Sequence, residues 1–353
     1  MVNTQDHKNI VYILGAGCSR EDNVPLVNEF LDVSFKKVLP DLNMYDAKRF
    51  KNVKNFRNEV LPDSNVEELF SYIDFERIVK TYGNKYNLNN LRKDLLYVIA
   101  KTIEKVIRKG GSTIYENFWE NHIVKSKSYH AITIITFNWD LLLDNILLSS
   151  PSFFIDGIPE NYYGTSFSYM GDGRESYNRV PNSSLKLLKL HGSLNWLFCK
   201  NCKENNKFFV IGKKPAVKVL EGFGMKCPNC GNDLDTLIVP PTFQKIEEGG
   251  IISALSDIWK CAKDNLSNAN RIVIAGYSFP EDDVHFRLFF RSALVENYKK
   301  KGMPIKIDIL NHKVYQKEKN EFENHYKKIF NIPNVEIEPR FLYHKFSDFA
   351  NVK

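Results

Sequence analysis

Hydrophobic and polar positions follow two periods along this chain. Short runs that are apolar at nearly every position occur at 10–14, 131–136, 187–190, 271–275 and 305–310. Such continuous runs predict strands buried on both faces. Between several of them the apolar positions return every three or four residues. That spacing predicts helices over 26–38, 66–79, 91–109, 251–265, 284–297 and 316–330. Short apolar strands alternating with helices predict an α/β fold, with a mostly parallel sheet and helices on both faces. Two stretches interrupt the alternation. Residues 41–128 hold helical signals and no convincing strand, so a helical insertion is expected there. Residues 194–239 hold paired cysteines and predict a second, smaller insertion. The sheet domain is then discontinuous, built from 1–40, 129–193 and 240–353. No internal repeat or low-complexity linker divides the chain.

Composition narrows the class. The chain has 353 residues, 43% of them hydrophobic, enough for a sizeable core and too apolar for wholesale disorder. The formal net charge of +7 permits contact with nucleic acid without requiring it. General use of Lys and Asn on a solvated surface accounts for it as well. No apolar run is long enough to span a bilayer, and the opening MVNTQDHKNI has no apolar signal core. A soluble, cytoplasmic protein is expected.

Of the six cysteines, Cys18 and Cys261 stand alone. The others form two CxxC pairs, Cys199 with Cys202 and Cys227 with Cys230. In a chain this long the pairs suggest metal in a reducing compartment more than a disulfide framework. Each CxxC can turn two thiolates toward one point, and two such turns complete a tetrahedral four-cysteine site for Zn2+. Gly222, Gly224 and Gly231 supply the turns. Four thiolates leave no open position for water, so the metal is expected to be structural. A redox role fits poorly, because both pairs lie in one short insertion.

The candidate chemistry sits at the ends of the predicted strands. The first strand stops at Gly15-Ala16-Gly17, followed by Cys18-Ser19, in a strand–turn–helix pattern. Glycines there let the backbone approach a pyrophosphate, and the next helix would aim free N–H groups at it. Arg20 stands where a third glycine would complete the GxGxxG fingerprint, so a tight structural turn explains the motif equally. The strand ITIIT runs into Asn138 and Asp140, LKLLKL into His191, RIVIA into Gly276-Tyr277-Ser278, and IKIDIL into Asn311. Asn138 could merely cap a helix, Asp140 could favour a helix N-terminus, and His191 could be a bonded turn residue. Ligands of open parallel sheets bind beyond the carboxyl ends of the strands, so the whole set points to function.

The ordered motifs GAGCS, TFNWD, LHGSLNW, CxxC with CxxC, AGYSFP and a late strand ending in Asn resemble the sirtuin superfamily. The resemblance runs from Gly15 to Asn311. It implies a Rossmann-like sheet that binds NAD, a small inserted zinc module, and cleavage of the nicotinamide–ribose bond. It places Gly15, Ala16, Gly17 and Ser19 at the pyrophosphate. Asn138 and Asp140 fall near the nicotinamide ribose, and His191 takes the catalytic His position. Gly276 and Ser278 fall beside the adenosine phosphates, and Asn311 near the adenine ribose. Three departures matter, one of them a 41–128 insertion much larger than a compact deacylase needs. Phe137 replaces a family Gln, and LIVPPTFQK stands where deacylases clamp their peptide as an added strand. Pro240 and Pro241 lack the N–H groups such pairing needs.

The phrases HGSLNW, VPPT and GYSFPEDD resemble the bacterial sirtuin-like proteins of anti-phage defence. In that branch the implied activity is NAD hydrolysis that depletes the infected cell of NAD. His191 would be a general base, since an ordinary imidazole titrates near about 6.5. Asn138 would orient the ribose or a water, and Asp140 would favour the cationic transition state. An NAD-dependent protein-lysine deacylase and a non-catalytic NAD or ADP-ribose sensor are the alternatives. The resemblance also implies control by a partner, such as a HerA-like ATPase, a short Argonaute or another defence-system protein. A homo-oligomer using the 41–128 insertion is expected.

Overall fold

The computed structural model describes residues 9–83, 85–107, 112–125, 132–147, 158–159, 162–170, 179–180, 185–199, 201–202, 208–212, 217–220, 224–239, 251–280, 283–312 and 315–352. Its centre is a six-stranded sheet of β1 (Ile10–Leu14), β2 (Ile132–Thr136), β6 (Lys186–Lys189), β10 (Arg271–Ala275), β11 (Ile305–Leu310) and β12 (Ile337–Leu342). Every pairing in it is parallel. The spatial order is β12-β11-β10-β1-β2-β6. Taken in chain order, these strands read 3-2-1-4-5-6, the doubly wound Rossmann-like arrangement. The direction of winding reverses between β1 and β10, and a crevice opens there. A separate two-stranded pair joins β3 (Ile158–Pro159) to β5 (Arg179–Val180).

The interior strands are nearly all buried, as continuous apolar runs should be. The strand β12 differs. It alternates half-buried and exposed positions and carries Pro339, which an edge strand tolerates. Helices flank the sheet. Ile251–Asn268 packs against Val284–Lys301, and Phe346–Asn351 packs against Thr113–Phe118.

A second core lies in the insertion. Phe50, Phe56, Phe70, Leu95 and Ile99, from Met44–Val60, Val66–Val79 and Leu88–Val106, form one apolar cluster that Phe30 of the preceding helix Val27–Val33 joins. Its edge differs from the expected boundary at 128. Tyr115, Phe118, Trp119 and Ile123 pack into the core of the sheet instead.

The cysteine-bearing insertion rests on a four-stranded sheet, ordered β4 (Phe167–Tyr169), β8 (Phe208–Val210), β7 (Gly192–Phe198) and β9 (Asp235–Ile238). The strand β7 begins two residues before the expected module start at 194. Trp196, Phe208 and Leu237 join the core of the large sheet, so this sheet is packed onto the main body. Among the described residues, no helix is long and apolar enough to cross a membrane.

Candidate functional site

A cleft of about 700 Å³ lies at the carboxyl ends of the large sheet and is closed on its far side by the helical insertion. The sheet supplies Ala16 and Gly17 after β1, Asn138 and Asp140 after β2, and His191 after β6. Gly276 and Ser278 follow β10, and Asn311 follows β11. The sequence thus places eight of its candidate groups on one cavity wall. The insertion contributes Asn65, Val66 and Glu67, at the start of the helix Val66–Val79, and the helix Val27–Val33 before it contributes Val27 and Phe30. That volume suits a small-molecule site.

The glycine turn does not lead straight into a long helix. The chain forms one helical turn at Ala16–Ser19 and a 3-10 turn at Arg20–Asp22 before the helix Val27–Val33 begins. Its glycines answer to packing. Gly15 N–H donates to the Ala275 carbonyl at 2.9 Å, and Gly17 N–H to the Gly276 carbonyl at 2.9 Å. A Cβ on Gly15 would lie 2.6 Å from Tyr277 Cα. Gly276 has φ of +62°, and a Cβ there would lie 2.8 Å from the Gly17 carbonyl carbon. The turns after β1 and β10 therefore meet backbone to backbone, which only glycine allows.

Ser19 does not line the cleft and corrects one expectation. Its side chain is wholly buried and cannot donate directly to a ligand in the cavity. Its hydroxyl donates to Asp140 Oδ2 at 2.9 Å and accepts from Asn138 Nδ2 at 3.0 Å. With its one proton committed, Ser19 must also accept from Tyr115 Oη at 3.0 Å. Gly15 likewise lies behind the wall, and its carbonyl takes the second Asn138 N–H at 3.1 Å. Both amide protons of Asn138 are thus used. Its oxygen remains the group that can accept from a ligand.

Asp140 is buried, and its Oδ1 accepts from Leu142 N–H at 3.0 Å, a side-chain turn just ahead of the helix Leu142–Leu147. Burial pushes its carboxyl above the ordinary range, opposed by the nearby Lys189 ammonium, the Leu142 N–H and the Ser19 hydroxyl. Beneath it lies a group the sequence reading missed. Lys189 is 1% exposed and donates to the Asp140 carbonyl at 2.6 Å and to Asp144 Oδ2 at 2.7 Å. Tyr163 Oη donates to Asp144 Oδ1 at 2.8 Å. The signal was a lysine inside an apolar strand two residues before His191.

His191 is 3% exposed, with its ring edge-on to Phe137 at 5.2 Å between centroids. Phe137 in turn stacks on Tyr277 at 4.3 Å. Phe137 thus bridges the loops after β2 and β10 by ring packing. The Tyr277 hydroxyl donates to Asp283 Oδ2 at 2.6 Å, and Tyr326 holds the Tyr277 carbonyl. Cys18 is buried and its thiol pushed up by burial, as an inert packing residue should be. The expected departure at Pro240 and Pro241 lies outside the described residues. Just before it, Val239 donates its N–H to the His191 carbonyl at 3.0 Å.

The cysteine site is separate. Cys199 follows β7, and Cys227 and Cys230 flank a turn before β9. The four sulfurs of Cys199, Cys202, Cys227 and Cys230 all lie within 4.8 Å of one another. Cys199 and Cys230 are 3.5 Å apart, and Cys202 and Cys227 are 3.6 Å apart. A tetrahedron with Zn–S bonds of about 2.3 Å needs sulfurs about 3.8 Å apart. The cluster therefore could hold a metal ion such as zinc. Gly231, at φ of +72°, makes the turn, while Gly222 lies outside the described residues. Hydrogen bonds from Asn232 bring the Cys230 thiol down, while hydrogen bonding among the sulfurs pushes the Cys202 thiol up.

Comparison of the chain with protein-family models and with curated proteins finds no match.

Proposed function

We propose that this chain is an NAD hydrolase that cleaves the nicotinamide–ribose bond, releasing nicotinamide and ADP-ribose. The observation that carries the reading is the shared cleft. His191, Asn138 and Asp140 share it with the glycine turn after β1, which borders the point where the strand order reverses. In this mechanism the C1′–N bond breaks with its electron pair going to the pyridinium nitrogen, so nicotinamide leaves neutral. Positive charge grows on the ribose. Asn138, pinned by Gly15 and Ser19, presents its amide oxygen to the ribose or the attacking water. Water adds to C1′, and His191 takes the released proton. Asp140, when ionised, favours the developing cation across a poorly solvated cavity.

The test is to incubate the purified chain with NAD, with and without acetylated peptide, and follow nicotinamide. Release without peptide is the expected result. Release only with peptide, together with O-acetyl-ADP-ribose, would mean a deacylase. No release, alone or with a partner, would leave a binding protein and overturn the proposal.

The proposal includes Zn2+ as the structural occupant of the cysteine cluster, and NAD depletion in anti-phage defence as the role. Expression of the active chain should then lower cellular NAD, while a His191→Ala variant should not. It also includes self-assembly through the insertion. The helix Val66–Val79 leaves Phe75, Ile78 and Val79 exposed, which suits a face shared between copies. Light scattering at micromolar concentration checks this; a strict monomer with full activity contradicts it.

A further inference from the structure

A lysine buried in a sheet interior needs a reason, because its charge is costly there unless paired and fully bonded. Lys189 is at the end of β6 with its side chain 2% exposed, and its partner Asp144 is fully buried. A simple buried ion pair would end there. Instead, the ammonium spends a second hydrogen bond on a backbone carbonyl, that of Asp140. The contact joins two strand ends. Asp140 belongs to the loop after β2, and His191 follows Lys189 by two residues in the turn after β6. The chain of bonds continues from Asp140 Oδ2 to Ser19, from Ser19 to Asn138, and from Asn138 to the Gly15 carbonyl. On the other side Tyr163, itself packed edge-on to Trp196 at 4.9 Å, fixes Asp144. One network thus ties together the loops after β1, β2 and β6.

We propose that Lys189 is a positioning residue: its bonds to the Asp140 carbonyl and Asp144 hold the loop bearing Asn138 and Asp140 at a set distance from the turn bearing His191. The role in turnover rests on the NAD hydrolase reading; the role in geometry does not. Lys189 touches no substrate. It acts by fixing where two reacting groups stand, and a displacement of about 1 Å at such a site costs on the order of a hundredfold in rate. The Lys189 charge also opposes the effect of burial on Asp140.

The test compares the parent chain with Lys189→Met paired with Asp144→Asn. The single Lys189→Met variant would strand the buried Asp144 charge and risk unfolding; the pair removes both charges together. Two readouts are taken on folded protein. Hydrogen exchange should quicken at residues 138–142 while β2 stays protected. The kcat for nicotinamide release should fall about a hundredfold with KM for NAD within a few-fold. Unchanged exchange at 138–142 overturns the proposal, whatever happens to activity. Quickened exchange with normal kcat overturns the role in turnover. If the parent releases no nicotinamide, the hydrolase reading fails, and the exchange result alone decides whether Lys189 positions the loop.

Discussion

One strand joins the two chemically distinct regions of this molecule. Gly192–Phe198 leaves the His191 turn at one end and reaches Cys199 at the other. At the cysteine end, four sulfurs come from two short CxxC turns and point at one another. Such a set is closed, and its order depends on what it binds. At the histidine end, polar groups come from strand ends scattered from Ala16 to Asn311 and face a cavity. They are already held by one another: Ser19 holds Asn138 and Asp140, and Lys189 holds Asp140 from beneath. The difference separates stability from chemistry. Ligand loss should loosen the cysteine end, while the cleft should keep its shape when a reacting group is removed.

Metal removal should give the largest effect. Structural zinc in small peptides contributes about 10–16 kcal/mol of apparent binding free energy. Purified protein is expected to carry one Zn2+ per chain by metal analysis. A strong chelator, or Cys227→Ser, should lower the thermal midpoint and the soluble yield. No zinc, with all four thiols freely reactive, would show that the cysteine end holds no structural metal.

His191→Ala should act on rate and spare the fold. Loss of a general base costs about a hundred- to ten-thousandfold in turnover. Nicotinamide release should fall by that amount with little change in thermal midpoint. A folded variant with near-normal turnover would remove His191 from the reaction.

Gly276→Ala sharpens the contrast, because it strains the cleft's backbone without touching a reacting side chain. The added Cβ meets Gly17 and Cys18 in a left-handed conformation. Overpacking of this kind costs about 1–3 kcal/mol, readable in a urea midpoint. Zinc content should not change.

The smallest effect concerns acid. His122 is packed between Phe118 and Phe349, beneath the helix Phe346–Asn351 whose first residue lines the cleft. Burial lowers its pKa from the ordinary 6.5. The unfolded chain therefore takes up this proton first. The stability is present above about 6.5 and is lost as pH falls toward the lowered folded value. His122→Gln should flatten this part of the urea-midpoint profile relative to the parent. Parallel profiles would show that His122 carries none of it.

The sheet was legible because its strands are buried on both faces. The runs at 10–14, 271–275 and 305–310 match β1, β10 and β11 residue for residue. The edge strand β12 was not, since none of its positions is fully buried and it carries Pro339. The helix Met44–Val60 was seen only as part of a helical region, because few of its residues are buried. The cysteine set was legible from spacing alone. Of the cleft, the residues just past each strand end were legible. Ser19 was misplaced because a polar residue after a glycine turn reads as a ligand donor, whereas here it faces inward. Lys189 was missed because a lysine reads as solvated, yet β6 offers it no path to water.

The strand-end cleft, and not the cysteine end, is the proposed nucleotide site. Hydrogen exchange of the folded chain with and without ADP-ribose tests it most directly. Slower exchange is expected at residues 15–20, 137–140 and 276–278, with residues 224–238 unchanged. Unaltered exchange at all three cleft segments under saturating ADP-ribose, or slowing confined to 224–238, would contradict it.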